Sequence, residues 1–124
     1  MTSPDQSRSV AIGYLRLDVS GDSEFIHRDA IEELAAKWGY DLVRTEEADE
    51  FSVFPVAVLI NAARLDRAVA VFVPSARHFE GCTVPDDLLA VCSVVTVADK
   101  QTYARRPPSP SEIRSVTQQE KEMN

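Results

Sequence analysis

The amino-acid sequence predicts an α/β fold, a three-layer α/β/α sandwich around a mostly parallel four-stranded sheet. Three observations support this fold class. An apolar run over residues 9–17 breaks into a short polar turn, and a helical pattern follows directly over residues 23–38. Further along, short apolar runs alternate with helical patterns up to residue 98, with short connections between them. This alternation is typical of strand–helix–strand units, and right-handed crossovers then place helices on both faces of the sheet.

The first strand and helix form the opening unit of the predicted fold. The strand over residues 9–17 is almost continuously apolar, as in a strand covered on both faces, and Gly13 within it allows a neighbour to approach closely. In the following helix, Asp22 or Ser23 is expected to cap the first N–H groups, and Gly39 to form a left-handed C-terminal cap. The spacing of the apolar residues predicts one buried stripe, made of Ile26, Ala30, Ile31, Leu34, Ala35 and Trp38.

The rest of the domain continues the same alternation. We predict a short second strand over residues 41–45, an acidic loop over residues 46–50, and a second helix that begins at Pro55. The third strand, over residues 68–73, is apolar throughout and is expected at the centre of the sheet. Thr83 is expected to cap a short helix over residues 84–91, and the fourth strand covers residues 94–98.

Both ends of the chain differ from the domain between them. Residues 1–8 are polar and include a proline, so we predict a flexible N-terminus, with the resolvase-like α/β domain described below over residues 9–99. Residues 100–124 are rich in proline, serine and charge, which is typical of a linker and tail. Two alternatives stay open for residues 111–121, a short helix with capping-box spacing or a disordered tail.

Composition excludes several functional classes. The formal net charge of −7 disfavours a general phosphate-binding surface, although a local basic patch is compatible with it. There is no apolar run of 18 residues, so we expect no membrane span and a cytoplasmic location. Cys82 and Cys92 are expected to be reduced thiols, and the sequence suggests no cofactor and no metal site.

A resemblance to a known family rests on two short motifs and on the order of the elements. The run Ile12-Gly13-Tyr14-Leu15-Arg16-Leu17, and later the strand that leads into Ala76-Arg77, resembles the N-terminal catalytic domain of serine recombinases, the resolvase/invertase family. Members open with Tyr-x-Arg-Val-Ser and carry Leu-Asp-Arg-Leu-x-Arg after the third strand. The resemblance covers about residues 9–81. It implies a resolvase-like fold and an ancestral role in DNA recombination.

The departures from the family pattern fall on its catalytic positions. Arg16 and Arg77 match family arginines, but Asp18 occupies the position of the nucleophilic serine. Glu80 stands where the family has another arginine, and Phe54 where the arginine near the start of the second helix is expected. Recombination needs a hydroxyl nucleophile and cations around a phosphate, and these carboxylates would repel that phosphate. We therefore expect no catalytic residues and no recombinase activity.

The first functional hypothesis is a catalytically inactive recombinase-like module that acts as a protein-interaction, accessory or regulatory factor. Its partner would be an unknown protein, with a homodimer as one form. Phe51, Phe54 and Phe79 are apolar residues in predicted loops and are the candidate partner-binding residues. The alternative is that these rings fold back over the core.

Two other hypotheses use the strand-end charges. A nucleic-acid-associated regulator would keep weak phosphate contacts through Arg16 and Arg77, unless these arginines pair with Asp18 or with the acidic loop. A metal-dependent enzyme would use Asp18 together with Asp22. Ser20 could replace the missing nucleophile, but no base is evident near it in the sequence, so we interpret it as a turn residue.

Overall fold

A computed structural model of the chain describes residues 8–106, which form a five-stranded sheet with helices on both faces. The strands are β1 (Ser9–Arg16), β2 (Tyr40–Ala48), β3 (Ala70–Val73), β4 (Ser93–Thr96) and β5 (Gln101–Tyr103). The helices are α1 (Leu17–Ser20), α2 (Glu24–Lys37), α3 (Pro55–Asp66) and α4 (Asp86–Leu89). Short 3₁₀ turns lie at Gly21–Ser23, Ala76–His78 and Glu80–Cys82.

The strand order in the sheet is β2-β1-β3-β4-β5. The first four strands pair in parallel, and β5 pairs antiparallel with β4. The predicted α/β class and the central position of β3 are confirmed, but the predicted count of four strands is wrong. The missed strand, β5, lies beyond the predicted end of the domain at residue 99. Its three residues are all exposed, so no apolar pattern marks it.

Alternating side chains of β1 divide the core into two layers. Ala11 and Leu15 pack with α2 on one face, whereas Ile12 and Tyr14 pack with α3 and α4 on the other. Gly13 lies where a β-carbon would come within 2.8 Å of Thr45 Oγ1. The close approach expected at this glycine is therefore real, and the sandwich has the predicted three layers.

Helix α2 buries a narrower stripe than predicted. Ile31, Leu34 and Ala35 are buried, but Ile26 is 70% exposed because it lies on the outer side of the first turn. Neither Asp22 nor Ser23 caps the helix, since the chain enters it through α1 and a 3₁₀ turn and no side chain caps its N-terminus. Gly39 has a φ of 81°, which is the left-handed conformation predicted at the end of this helix.

Two local predictions further along the chain are also wrong. Glu46 and Glu47 lie in β2 and not in an acidic loop, because this edge strand pairs with β1 over its whole length while their carboxylates reach solvent. Thr83 does not cap α4, whose N-cap is Pro85. The Thr83 hydroxyl donates to the carbonyl of Gly81 instead, at 3.0 Å.

Some predictions fall outside the part of the chain that the structure describes. These are the flexible N-terminus up to residue 7, and the linker and the short helix predicted beyond residue 106. Within residues 8–106, no helix is both long enough and apolar enough to cross a membrane.

Candidate functional site

The residues predicted to carry chemistry gather at the carboxyl edge of the parallel strands. β1 ends at Arg16, and the loop after β3 carries Arg77 and His78. In open α/β sheets this edge is where ligands bind, because loops from neighbouring strands converge there. The fold therefore brings the two halves of the candidate site together.

Arg16 and Asp18 form a bidentate ion pair at the end of β1. Nε of Arg16 donates to Oδ1 of Asp18 at 2.8 Å, and Nη2 donates to Oδ2 at 2.7 Å. The hydrogen bond from Arg16 lowers the pKa of the Asp18 carboxyl, so this group stays ionised. The fork of the guanidinium is occupied by a carboxylate of the same chain, which is the internal pairing considered above for this arginine.

His78 ties this strand end to the loop after β3. Its ring is buried, and Nδ1 accepts a hydrogen bond from the backbone N–H of Arg16 at 2.9 Å. Burial, together with the nearby His27 and Arg16, lowers the pKa of His78 to about 4. The neutral ring therefore carries its proton on Nε2.

Ser20 has a base beside it that sequence reasoning missed. Its Oγ lies 2.7 Å from Nδ1 of His27, and the ring of His27 meets that of His78 edge to face at 5.7 Å. The base is evident only once α1 and the following 3₁₀ turn fold the serine back onto α2. Ser20 is only 6% exposed, so this hydrogen bond joins α1 to α2 and the hydroxyl is sheltered from solvent.

Arg77 is exposed, unlike the histidine that follows it. Its backbone N–H donates to Oγ of Ser75 at 3.3 Å, whereas its guanidinium pairs with no carboxylate among residues 8–106. Both Arg77 and Arg16 lie near enough to His78 to lower its pKa. The two predicted arginines thus both lie near His78. Arg16 is paired with Asp18, whereas Arg77 is exposed to solvent.

A cavity of about 330 Å³ lies beside the ion pair, and we call it the aromatic cavity. It is lined by Tyr14, Arg16, Phe54, Pro55, Val56, Ala57, Ile60, Phe79, Glu80 and Asp87. Tyr14 and Phe79 stack with ring centroids 5.4 Å apart and planes 13° from parallel. Phe79 is only 2% exposed, so this ring does not belong to an exposed patch and follows the alternative given above, in which it folds back over the core. The stacking energy and the apolar core hold this ring inward.

The other two predicted phenylalanines are exposed, in the loop between β2 and α3. Phe51 is 82% exposed and Phe54 is 75% exposed. Asp49 shapes this loop, because its Oδ1 accepts from the N–H of Phe51 at 2.9 Å and from Oγ of Ser52 at 3.3 Å. We call residues 51–54 the aromatic loop. Its hydrogen bonds order the backbone while the rings stay in solvent.

The candidate metal ligands are not arranged for a cation. Among residues 8–106 no three His, Cys, Asp or Glu side chains are grouped to hold a metal ion, and both oxygens of Asp18 are bound to Arg16. Cys82 and Cys92 are free thiols, and burial raises the pKa of Cys92 to about 11. The hypothesis of a metal-dependent enzyme gains no support from this geometry.

The strand order, the crossovers and the position of the candidate site define the fold of a resolvase-type recombinase catalytic domain. Solved structures of such proteins superimpose on it. A resolvase family site-specific recombinase from Streptococcus pneumoniae superimposes with a TM-score of 0.60 at 14% identity, over 93% of this chain and 89% of that one. The N-terminal catalytic domain of TP901-1 integrase gives a TM-score of 0.52 at 16% identity, over 94% of this chain and 99% of that one. The predicted resemblance is confirmed as a likeness of fold.

Comparison by sequence gives no further relative. No protein-family model matches the chain, and no curated protein matches it at a significant level.

Proposed function

We propose that this chain is a catalytically inactive recombinase-fold module that acts as an accessory or regulatory factor by binding a protein partner. The observation that carries the proposal is the bidentate pair between Arg16 and Asp18. At the position of the family's serine the chain has the carboxylate of Asp18. This carboxylate is bound to the guanidinium of Arg16 at the end of β1.

The chemistry of strand cleavage fits this site poorly. A covalent link to a phosphate needs a hydroxyl nucleophile, with cations or N–H donors placed where negative charge develops. A phosphate could reach Arg16 only by displacing Asp18, and it would then face that carboxylate and Glu80 of the aromatic cavity. The nearest hydroxyl in the following turn, that of Ser20, is sheltered.

The aromatic loop supports the binding role. It presents Phe51, Val53 and Phe54 to solvent, and all three are more than two-thirds exposed. Neighbouring apolar side chains on a surface mark interaction sites, and aromatic residues are enriched at the centres of protein interfaces. The loop lies next to the closed strand-end site, so partner binding would take place on the same face of the molecule.

Affinity capture from the source cells tests the binding role. The bait variants are Phe51→Ser/Phe54→Ser in the aromatic loop and, as a matched control, Phe25→Ser on the exposed side of α2. We expect one protein to be captured by the wild type and the control, lost from the loop variant, and bound again when both components are purified. A purified complex that forms equally well with the loop variant would contradict the proposal.

A second measurement tests the absence of catalysis. Cells expressing the chain are lysed in denaturant, and protein linked covalently to DNA is isolated and probed for this chain. We expect no adduct. An adduct that disappears on mutation of Ser20 or Asp18 would establish a covalent reaction and overturn the proposal.

A nucleic-acid-associated regulator is a second candidate, supported by the guanidinium of Arg77, which is exposed and pairs with no carboxylate in the described range 8–106. It predicts that labelled duplex or single-stranded DNA binds at low salt and is released as salt rises. Arg77→Ala should weaken this binding, whereas Lys37→Ala, an exposed change at the end of α2, should affect it less. Fluorescence anisotropy measures both, and no binding at low salt would exclude this candidate.

A further inference from the structure

The aromatic cavity combines one exposed aromatic ring, that of Phe54, with an excess of negative charge. We propose that it binds an arginine side chain presented by a segment of the protein partner. The inference rests on the proposed function, and it adds the chemistry by which the partner is recognised.

The charge of the cavity follows from its ion pairs. Among residues 8–106, Arg16 is the only cation that lines the cavity, and Asp18 already neutralises it. Glu80 and Asp87 also line the cavity, and neither pairs with a cation among residues 8–106. Glu50 is close enough to add to the field at Arg16. The cavity therefore has an uncompensated negative charge, which attracts a cation and repels a phosphate or a carboxylate.

The exposed ring of Phe54 favours a guanidinium among cations. Phe54 lines the cavity with most of its ring in solvent, whereas Tyr14 and Phe79 stack on each other and are each only 2% exposed. Burial raises the pKa of Tyr14, so its ring stays neutral. A guanidinium is planar and weakly hydrated, so it can stack on a ring face while its N–H groups bind a carboxylate at the rim. An ammonium offers only a compact, strongly hydrated charge.

The volume of the cavity and the groove next to it indicate which kind of residue lies beside the arginine in the partner segment. The cavity volume of about 330 Å³ is roughly the volume of ten water molecules in the liquid. A volume of this size suits one long side chain better than a folded element. The cavity adjoins a groove of about 520 Å³ between α3 and α4, and both are lined by Ala57, Ile60 and Asp87. The groove is also lined by the apolar residues Ala90 and Val91 and by the polar residues Asn61 and Arg64. We therefore expect apolar residues next to the arginine in the partner segment.

Selection from a random nine-residue peptide display library on the immobilised full chain tests this inference. We expect the recovered peptides to share an arginine flanked by apolar residues. Replacing that arginine by citrulline, a neutral isostere, should weaken binding about tenfold or more, since a charge-assisted hydrogen bond is lost. Glu80→Gln should weaken it by a similar factor. Glu32→Gln, which makes the same charge change on the opposite side of the sheet, should leave it unchanged.

Several results would overturn the inference. These are an empty selection, peptides without a shared arginine, and peptides that bind Glu80→Gln as tightly as the wild type. Self-association of the chain that is lost in Glu80→Gln would assign the cavity to a second copy and overturn it too.

The variant Phe51→Ser separates this inference from the proposed function, because Phe51 lies in the aromatic loop but does not line the cavity. Binding of the natural partner that depends on Phe51 but not on Glu80 would overturn the arginine site alone. A partner that depends on neither residue would overturn both.

Discussion

The backbone N–H of Arg16 donates a hydrogen bond of 2.9 Å to Nδ1 of the buried His78, and so joins the end of β1 to the loop after β3. The acceptor nitrogen must be unprotonated for this bond to form. The ion pair that closes the candidate site is therefore anchored on a histidine that stays neutral in the fold.

This relationship predicts a pH-dependent stability. The pKa of His78 is about 4 in the folded chain against 6.5 for an ordinary histidine, with His27, Arg16, Asp18 and Arg77 as its charged or titratable neighbours. The unfolded chain takes up a proton first as pH falls, so the free energy of unfolding should decrease by about 3 kcal/mol between pH 7 and pH 4 through this residue.

Urea unfolding at a series of pH values, compared with His78→Gln, measures the effect of His78 alone. Glutamine keeps a hydrogen-bond acceptor but does not titrate, and the carboxylates contribute equally to both proteins. The two stability curves should converge as pH falls. Curves that stay parallel from pH 7 to pH 4 would contradict the role given to His78.

We expect the substitution Asp18→Asn to make the guanidinium of Arg16 accessible to an anion. Removing the carboxylate charge leaves the guanidinium of Arg16 free to meet a phosphate. Duplex DNA should then bind more tightly at low salt, with a salt slope steeper by about one phosphate contact. Glu32→Gln changes the net charge equally, far from the site. Equal DNA affinity for these two variants would show that the ion pair does not control access to Arg16.

Phe54 occupies a backbone conformation that costs energy for its residue type. Its φ of 53° lies in the left-handed region, which glycine adopts without penalty. We expect Phe54→Gly to be more stable than Phe54→Ala by about 1 kcal/mol, because both remove the ring but only glycine relieves the β-carbon strain. Thermal unfolding compares the two variants directly. A less stable glycine variant would indicate that this φ costs little.

Gly13→Ala should destabilise the fold by overpacking. The new β-carbon would lie 2.8 Å from Thr45 Oγ1 and 3.2 Å from Ile31 Cγ2, both at the centre of the β1–β2 and β1–α2 contacts. A loss of about 1–3 kcal/mol in chemical unfolding is expected. Adding Thr45→Ala should recover part of this loss in the double variant. If Gly13→Ala unfolds at the same denaturant concentration as the wild type, the contact is less tight than described.

Three phenylalanines show how much of the candidate site can be predicted from the sequence pattern alone. Phe51, Phe54 and Phe79 were equivalent in the sequence, since each is an apolar residue in a predicted loop. Two stay exposed, whereas the third stacks on Tyr14, which is 65 positions away along the chain. A long-range contact of this kind leaves no local signal. The hydrogen-bonded pair of Ser20 and His27 was missed although only seven positions separate the two residues, because it depends on how a short turn folds back onto α2.

The sequence by itself determined the fold class and the central third strand. These properties follow from residue identity and from apolar periods of two and 3.6, which are local. Only the tertiary structure decided the fifth strand, the pairing of Arg16 with Asp18, and the joining of the exposed ring of Phe54 with the carboxylates of Glu80 and Asp87 in one cavity. The physical reason is that pairing energies between distant residues depend on distances and burial, and these exist only once the sheet brings its strand ends together.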